Sequence, residues 1–129
     1  MKNERKVEIM SRVTVCHCAH FGEDTVVASV DVGSREGYNA LEYAFERTNN
    51  IFGSWSKPSQ FMFNDEIIIN KDFSEDVTVI APLPVVDGIE YGLRSTSIGD
   101  KMIFQGKIYE VDVIGFKERS LMRFNELNV

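Results

Sequence analysis

The chain is 129 residues long, 43% hydrophobic and 26% charged, with 14 basic against 20 acidic side chains and a net charge of −6. That length predicts one domain over residues 1–129 with a core large enough to fold by itself, and that composition excludes wholesale disorder. The acidic balance argues against non-specific nucleic-acid binding, which needs clustered Lys and Arg, and no apolar run approaches the ~18–20 residues of a membrane span.

Met1 to Ile9 is charged and lacks the apolar stretch of a signal peptide, which predicts a cytoplasmic protein. Residues 1–6 read as a solvated tail, and Met10 offers a second start. Val7, Ile9, Val13 and Val15 share one parity and Glu8, Arg12 and Thr14 the other, the period of a half-buried strand. Gly22-Glu23-Asp24 supplies turn chemistry. A second strand follows over Thr25 to Val32, with Val26, Ala28, Val30 and Val32 alternating against Val27, Ser29 and Asp31; the economical arrangement is an antiparallel pair.

After Gly33-Ser34 the period changes. Tyr38, Leu41 and Phe45, with Ala44 beside them, fall at helical spacing, while Asn39, Glu42 and Glu46 take the opposite face. Ser34 is the expected N-cap, Glu36 suits the positive N-terminus, and Thr48, Asn49, Asn50 and Gly53 close the helix. Gly53 to Asn64 reads as a loop anchored by Trp55, Phe61 and Phe63, followed by the short apolar run Ile67 to Ile69 and a polar turn over Asn70 to Glu75. Asp76 to Ala81 is a better strand.

Pro82 and Pro84 hold the chain extended but give no hydrogen to a ladder, so this stretch belongs at a sheet edge or outside the sheet. Asp87-Gly88 is the strongest hairpin signal, and Gln105-Gly106 is a second two-residue turn between Lys101–Phe104 and Lys107–Ile114. Residues 117–129 read as a C-terminal extension with a helical turn or two around Leu121, Met122 and Phe124. The expected fold is α+β: a small antiparallel sheet of six to eight short strands, which could close barrel-like, with one central helix across it.

Cys16-His17-Cys18-Ala19-His20 is the densest cluster of metal-ligating chemistry. If the first strand continues, Cys16, Cys18 and His20 lie on one face, and thiolate and imidazole suit zinc. The spacing opposes it: structural sites favour C-x2-4-C and four ligands, and the chain has only two Cys and two His. The plain alternative is two reduced thiols and two histidines at a strand end. No G-x-S-x-G, phosphate-loop or EF-hand pattern occurs, so no catalytic residue and no cofactor is assigned. The acids are too scattered among bases for a nucleic-acid mimic.

Two polar runs remain. Arg94, Ser95, Thr96 and Ser97 place a guanidinium beside three hydroxyls and could grip an anion or a partner, or merely fix a turn. Arg47, Asn49, Asn50 and Trp55 form a second run, in which Trp55 is either a core anchor or an interface aromatic.

These runs carry a likeness. Leu41 to Asn50 (LEYAFERTNN) followed by Gly53-Ser54-Trp55-Ser56, then Val77 to Pro84 (VTVIAPLP), Gly92 to Asp100 (GLRSTSIGD) and Tyr109-Glu110-Val111…Gly115-Phe116 resemble small proteins of bacteriophages and mobile elements. Together they span roughly residues 40–116, outside the Cys/His cluster. The resemblance implies a phage-like setting and brings no mechanism with it.

The leading expectation is a non-enzymatic accessory protein that binds a host cytoplasmic protein, such as a defence or regulatory factor. The alternative is a binder of a small anionic, nucleotide-like ligand, with a homo-oligomer as one way to build its pocket. A metal-assisted hydrolase using Cys16, Cys18 and His20 is the third.

Overall fold

A computed structural model describes residues 11–119. β1 (Ser11–His17), β2 (Thr25–Gly33), β5 (Val77–Val79), β8 (Lys101–Phe104), β9 (Lys107–Val111) and β10 (Phe116–Arg119) build one antiparallel sheet in the order β10-β9-β8-β1-β2-β5. The sheet is open, with β10 and β5 as its edges, which corrects the barrel-like expectation. β5 is only three residues long and runs into Pro82 and Pro84, so the ladder stops there.

The helix α1 (Gly37–Arg47) packs on β1 and β2 and buries Ala40, Leu41 and Ala44 against Val13, Val15, Ala28, Val30 and Val32. Its start differs from the sequence reading. Glu36 rather than Ser34 occupies the N-cap, without a side-chain hydrogen bond, because Gly37 at φ +56° is left-handed and blocks upstream extension of a right-handed helix. Tyr38 stays largely exposed, yet its hydroxyl donates to the Phe116 carbonyl at 2.9 Å, and its ring meets Phe116 edge-on.

In β2 the alternation shifts at one point. Val27 is buried and Val26 exposed, because Val15 pairs with Ala28 while Cys16 pairs with Val26. Val27 is the extra residue of a β-bulge, so the inward parity changes there.

Two small sheets stand apart from the large one. β3 (Gln60–Phe63) pairs with β4 (Glu66–Ile69), and β6 (Val85–Val86) with β7 (Ile89–Glu90). The described residues thus hold ten strands rather than six to eight, and the segment Gly53 to Asn64 contains a strand where a loop was expected. The cause is Asn64-Asp65, a tight turn with φ +52° and +65°, the same left-handed pair that Asp87-Gly88 and Gln105-Gly106 adopt. Lys117 to Arg119 continue β10 as strand; the helical turns expected around Leu121, the tail at residues 1–6 and the start at Met10 lie outside the described residues. Among the described residues no helix is long and apolar enough to cross a membrane.

Candidate functional site

The two polar runs are far apart in sequence and adjacent in space. The loop after α1 and the segment Gly92–Ser97 are joined by backbone and side-chain bonds: Thr96 N–H to the Thr48 carbonyl at 2.9 Å, Asn50 N–H to Ser95 Oγ at 2.8 Å, and Leu93 N–H to Ser56 Oγ at 2.7 Å. Asn50 adds its Nδ2 to the Leu93 carbonyl and receives the Trp55 N–H on Oδ1. Asn49 donates Nδ2 to the Phe45 carbonyl and so closes the helix end. The Arg47 guanidinium lies 5.3 Å from the centre of the Tyr43 ring.

Trp55 is fully buried, in edge contact with His17, and its indole N–H donates to the Arg94 carbonyl at 2.8 Å. Of its two readings the structure selects the core anchor. A fully buried indole has no face to offer a partner.

Arg94 is held between two carboxylates. It donates to Glu23 through Nε and one terminal nitrogen, and to both oxygens of Asp100 at 2.8 and 2.9 Å. Asp100 has no solvent exposure and also accepts the N–H groups of Cys18, Ala19 and Ser97 at 2.8, 2.9 and 2.7 Å. Burial alone would raise its carboxyl, but the Arg94 hydrogen bond and these backbone donors outweigh it and hold the group below the usual carboxylate range. Asp100 and Glu23 in turn raise the guanidinium. An anion would have to displace two carboxylates to reach Arg94.

The hydroxyls are committed as well. Thr96 Oγ1 lies 3.0 Å from His17 Nε2 and donates to Thr48 Oγ1 at 2.8 Å, which donates to the Ala44 carbonyl. Ser97 Oγ donates to the Ser95 carbonyl within the same turn, and Ser95 Oγ accepts the Asn50 N–H from the loop after α1. His17 shares the inward parity of Val13 and Val15; burial lowers its pKa despite the nearby Asp100. A neutral ring bonded through Nε2–H to the Thr96 oxygen follows.

The Cys/His alternation ends at His17, where β1 stops and the Cys18 N–H turns to Asp100. Cys16 and Cys18 are free thiols; burial pushes Cys16 up to about 11 and raises Cys18. His20 is exposed in the following turn. Among the described residues no three His, Cys, Asp or Glu side chains converge to hold a metal ion.

No family model, curated protein or solved structure matches this chain.

What the polar runs do not leave open, the hairpins do. Across the β3–β4 pair, Met62 faces Ile67 and Gln60 faces Ile69, and Met62, Ile67 and Ile69 are 63%, 65% and 59% exposed. Phe61 and Ile68, on the other face, are half-buried. The second hairpin exposes Val85, Val86 and Ile89. Lys57, Phe61, Met62 and Phe63 share a groove of about 350 Å³ with Gly88, Ile89 and Glu90, so the hairpins stand side by side.

Sequence reasoning assigned none of these residues to a site. The available signal was Ile67-Ile68-Ile69: on any strand, alternation turns one or two of three consecutive isoleucines away from the core.

Proposed function

We propose that this chain is a non-enzymatic binding protein, a phage or mobile-element accessory factor that acts on a host cytoplasmic protein. The observation that carries the reading is the apolar surface on two neighbouring hairpins, outside the sheet whose core is already complete. An isolated two-stranded hairpin is marginal in water, and exposed aliphatic residues on its outer face are a liability unless something covers them. The phage setting rests on the motif likeness over residues 40–116, and the cytoplasm on that setting.

The rival anion-binding reading needs Arg94 to be available. Its pairing with Glu23 and Asp100, and the commitment of Ser95, Thr96 and Ser97 to internal bonds, favour a structural role for that segment. The contact surface accordingly moves from the Arg94 turn to the hairpins.

The test is affinity capture from host lysate with the full chain and with the double variant Ile67→Ser/Ile69→Ser. A stoichiometric partner retained by the first and lost by the second is the expected result. Recovery of no partner, or equal recovery by both, defeats the reading. A thermal-shift screen of nucleotides probes the rival, because a ligand that binds only the folded state raises the melting temperature.

A further inference from the structure

The groove between the hairpins is bordered by strand edges, which narrows the kind of partner it fits. Its lining comes from β3, β7, the hairpin turns beside them and Lys57 ahead of β3, with no residue of β4 or β6. It therefore runs along the sides of β3 and β7 that face away from their own partners.

Register identifies the backbone groups involved. Asn70 N–H bonds the Ser59 carbonyl and Tyr91 N–H the Pro84 carbonyl, so the hydrogen-bonded pairs of the two hairpins continue as Phe61 with Ile68 and Val86 with Ile89. By alternation, Met62 and Glu90 turn their backbone N–H and C=O away from the ladders, and both residues line the groove.

The charge around it is one-sided. Asp65 and Glu66 lie at the turn of the first hairpin, Asp87 at that of the second, and Glu90 on the groove wall. Against them stands Lys57, whose ammonium lies 4.3 Å from the centre of the Phe61 ring.

We infer that the groove accepts an extended segment of the partner protein that adds as a strand to the free edges of β3 and β7, with aliphatic side chains against Met62 and Ile89 and Lys or Arg against the carboxylates. The inference rests on the protein-binding reading and specifies its partner. Strand addition takes affinity from main-chain hydrogen bonds and selectivity from alternate side chains. A second copy of this chain would bring its own acids against the same acids, so the charge selects a basic partner.

The test is a random-octapeptide display selection against the full chain, run in parallel against Met62→Pro and Glu90→Lys. Proline at 62 removes an outward N–H without touching the β3–β4 ladder; Glu90→Lys leaves the backbone intact, and far-ultraviolet circular dichroism checks both folds. The expected enrichment is aliphatic residues at alternate positions with Lys or Arg between them. An enriched peptide, made synthetically, should bind both variants about tenfold or more weakly and fail when its alternate amides are N-methylated. No enrichment, acidic consensus peptides, or indifference to N-methylation overturns the inference, as does a self-association by sedimentation that Glu90→Lys abolishes. If the lysate partner still depends on Ile67 and Ile69 while the peptides fail, the binding role stands and only strand addition falls.

Discussion

Arg94 meets Asp100 in a two-pronged pair, one terminal nitrogen on each carboxylate oxygen at 2.8 and 2.9 Å, within the loop that feeds β8, and Asp100 joins that loop to the end of β1 by accepting the Cys18 and Ala19 N–H groups. Asp100 is completely buried, so its charge depends on Arg94 and the three backbone N–H groups around it. Removing one partner leaves the other charge stranded. Asp100→Ala is expected to cost about 3–5 kcal/mol in urea unfolding, and Asp100→Asn less, since the amide oxygen still accepts some of the donors.

Stability should fall with acid in two stages. The His17 pKa is lowered in the fold, so the unfolded chain takes up a proton first, near its ordinary ~6.5, and stability declines as pH drops from there toward the folded value. Asp100, Glu23 and Asp72 are likewise lowered; their contribution is complete above about pH 5 and is lost as pH falls through their folded values. Melting temperature against pH should therefore begin to fall below about pH 6.5, then fall more steeply once pH drops through the ordinary carboxylate range of about 4. His17→Gln should flatten the upper slope alone.

Trp55 fills the core beneath the Arg94 turn and donates to its carbonyl. Trp55→Phe keeps most of the ring volume but orphans that carbonyl, for an expected loss of about 1–3 kcal/mol. Trp55→Ala adds a cavity and should lose about 3–5 kcal/mol, read by denaturant titration.

Gly92 marks the closest approach of the two joined loops. A Cβ there would lie 2.2 Å from Ser54 Oγ and 3.1 Å from Ser56 Oγ, the hydroxyl that receives the Leu93 N–H. Gly92→Ala should therefore destabilise by about 1–3 kcal/mol, despite the small side chain, as the serines are forced aside. Ser54→Ala in the same chain should relieve part of the loss.

The hairpin surface should behave in the opposite way. Ile67 is mostly exposed, so Ile67→Ser is expected to change unfolding free energy by no more than about 0.5 kcal/mol while lowering binding of a hydrophobic dye. A large loss of stability would mean that Ile67 packs in solution against something within the chain.

Local chemistry made much of this molecule legible. The helix face of Leu41, Ala44 and Phe45, the inward Val13 and Val15, and the turns at Asp87-Gly88 and Gln105-Gly106 follow from period and backbone preference, and the structure places them where those preferences put them. The inward Val27 was not legible, because a bulge is a property of two paired strands and its signal is divided between them. The Asn64-Asp65 turn was missed because it lacks the glycine that usually announces such a turn.

The candidate site divides in the same way. Sequence alone determined which groups were available: one guanidinium beside three hydroxyls, two thiols, two imidazoles and three consecutive isoleucines. Whether a polar group is spent inside the fold or offered outside depends on residues distant along the chain. Glu23 lies 71 positions from Arg94, and Thr48 lies 48 from Thr96. Only tertiary structure brought those partners together, turning the polar runs into internal bracing and leaving the hairpins uncovered, because hydrogen-bond satisfaction and burial are settled by what packs alongside.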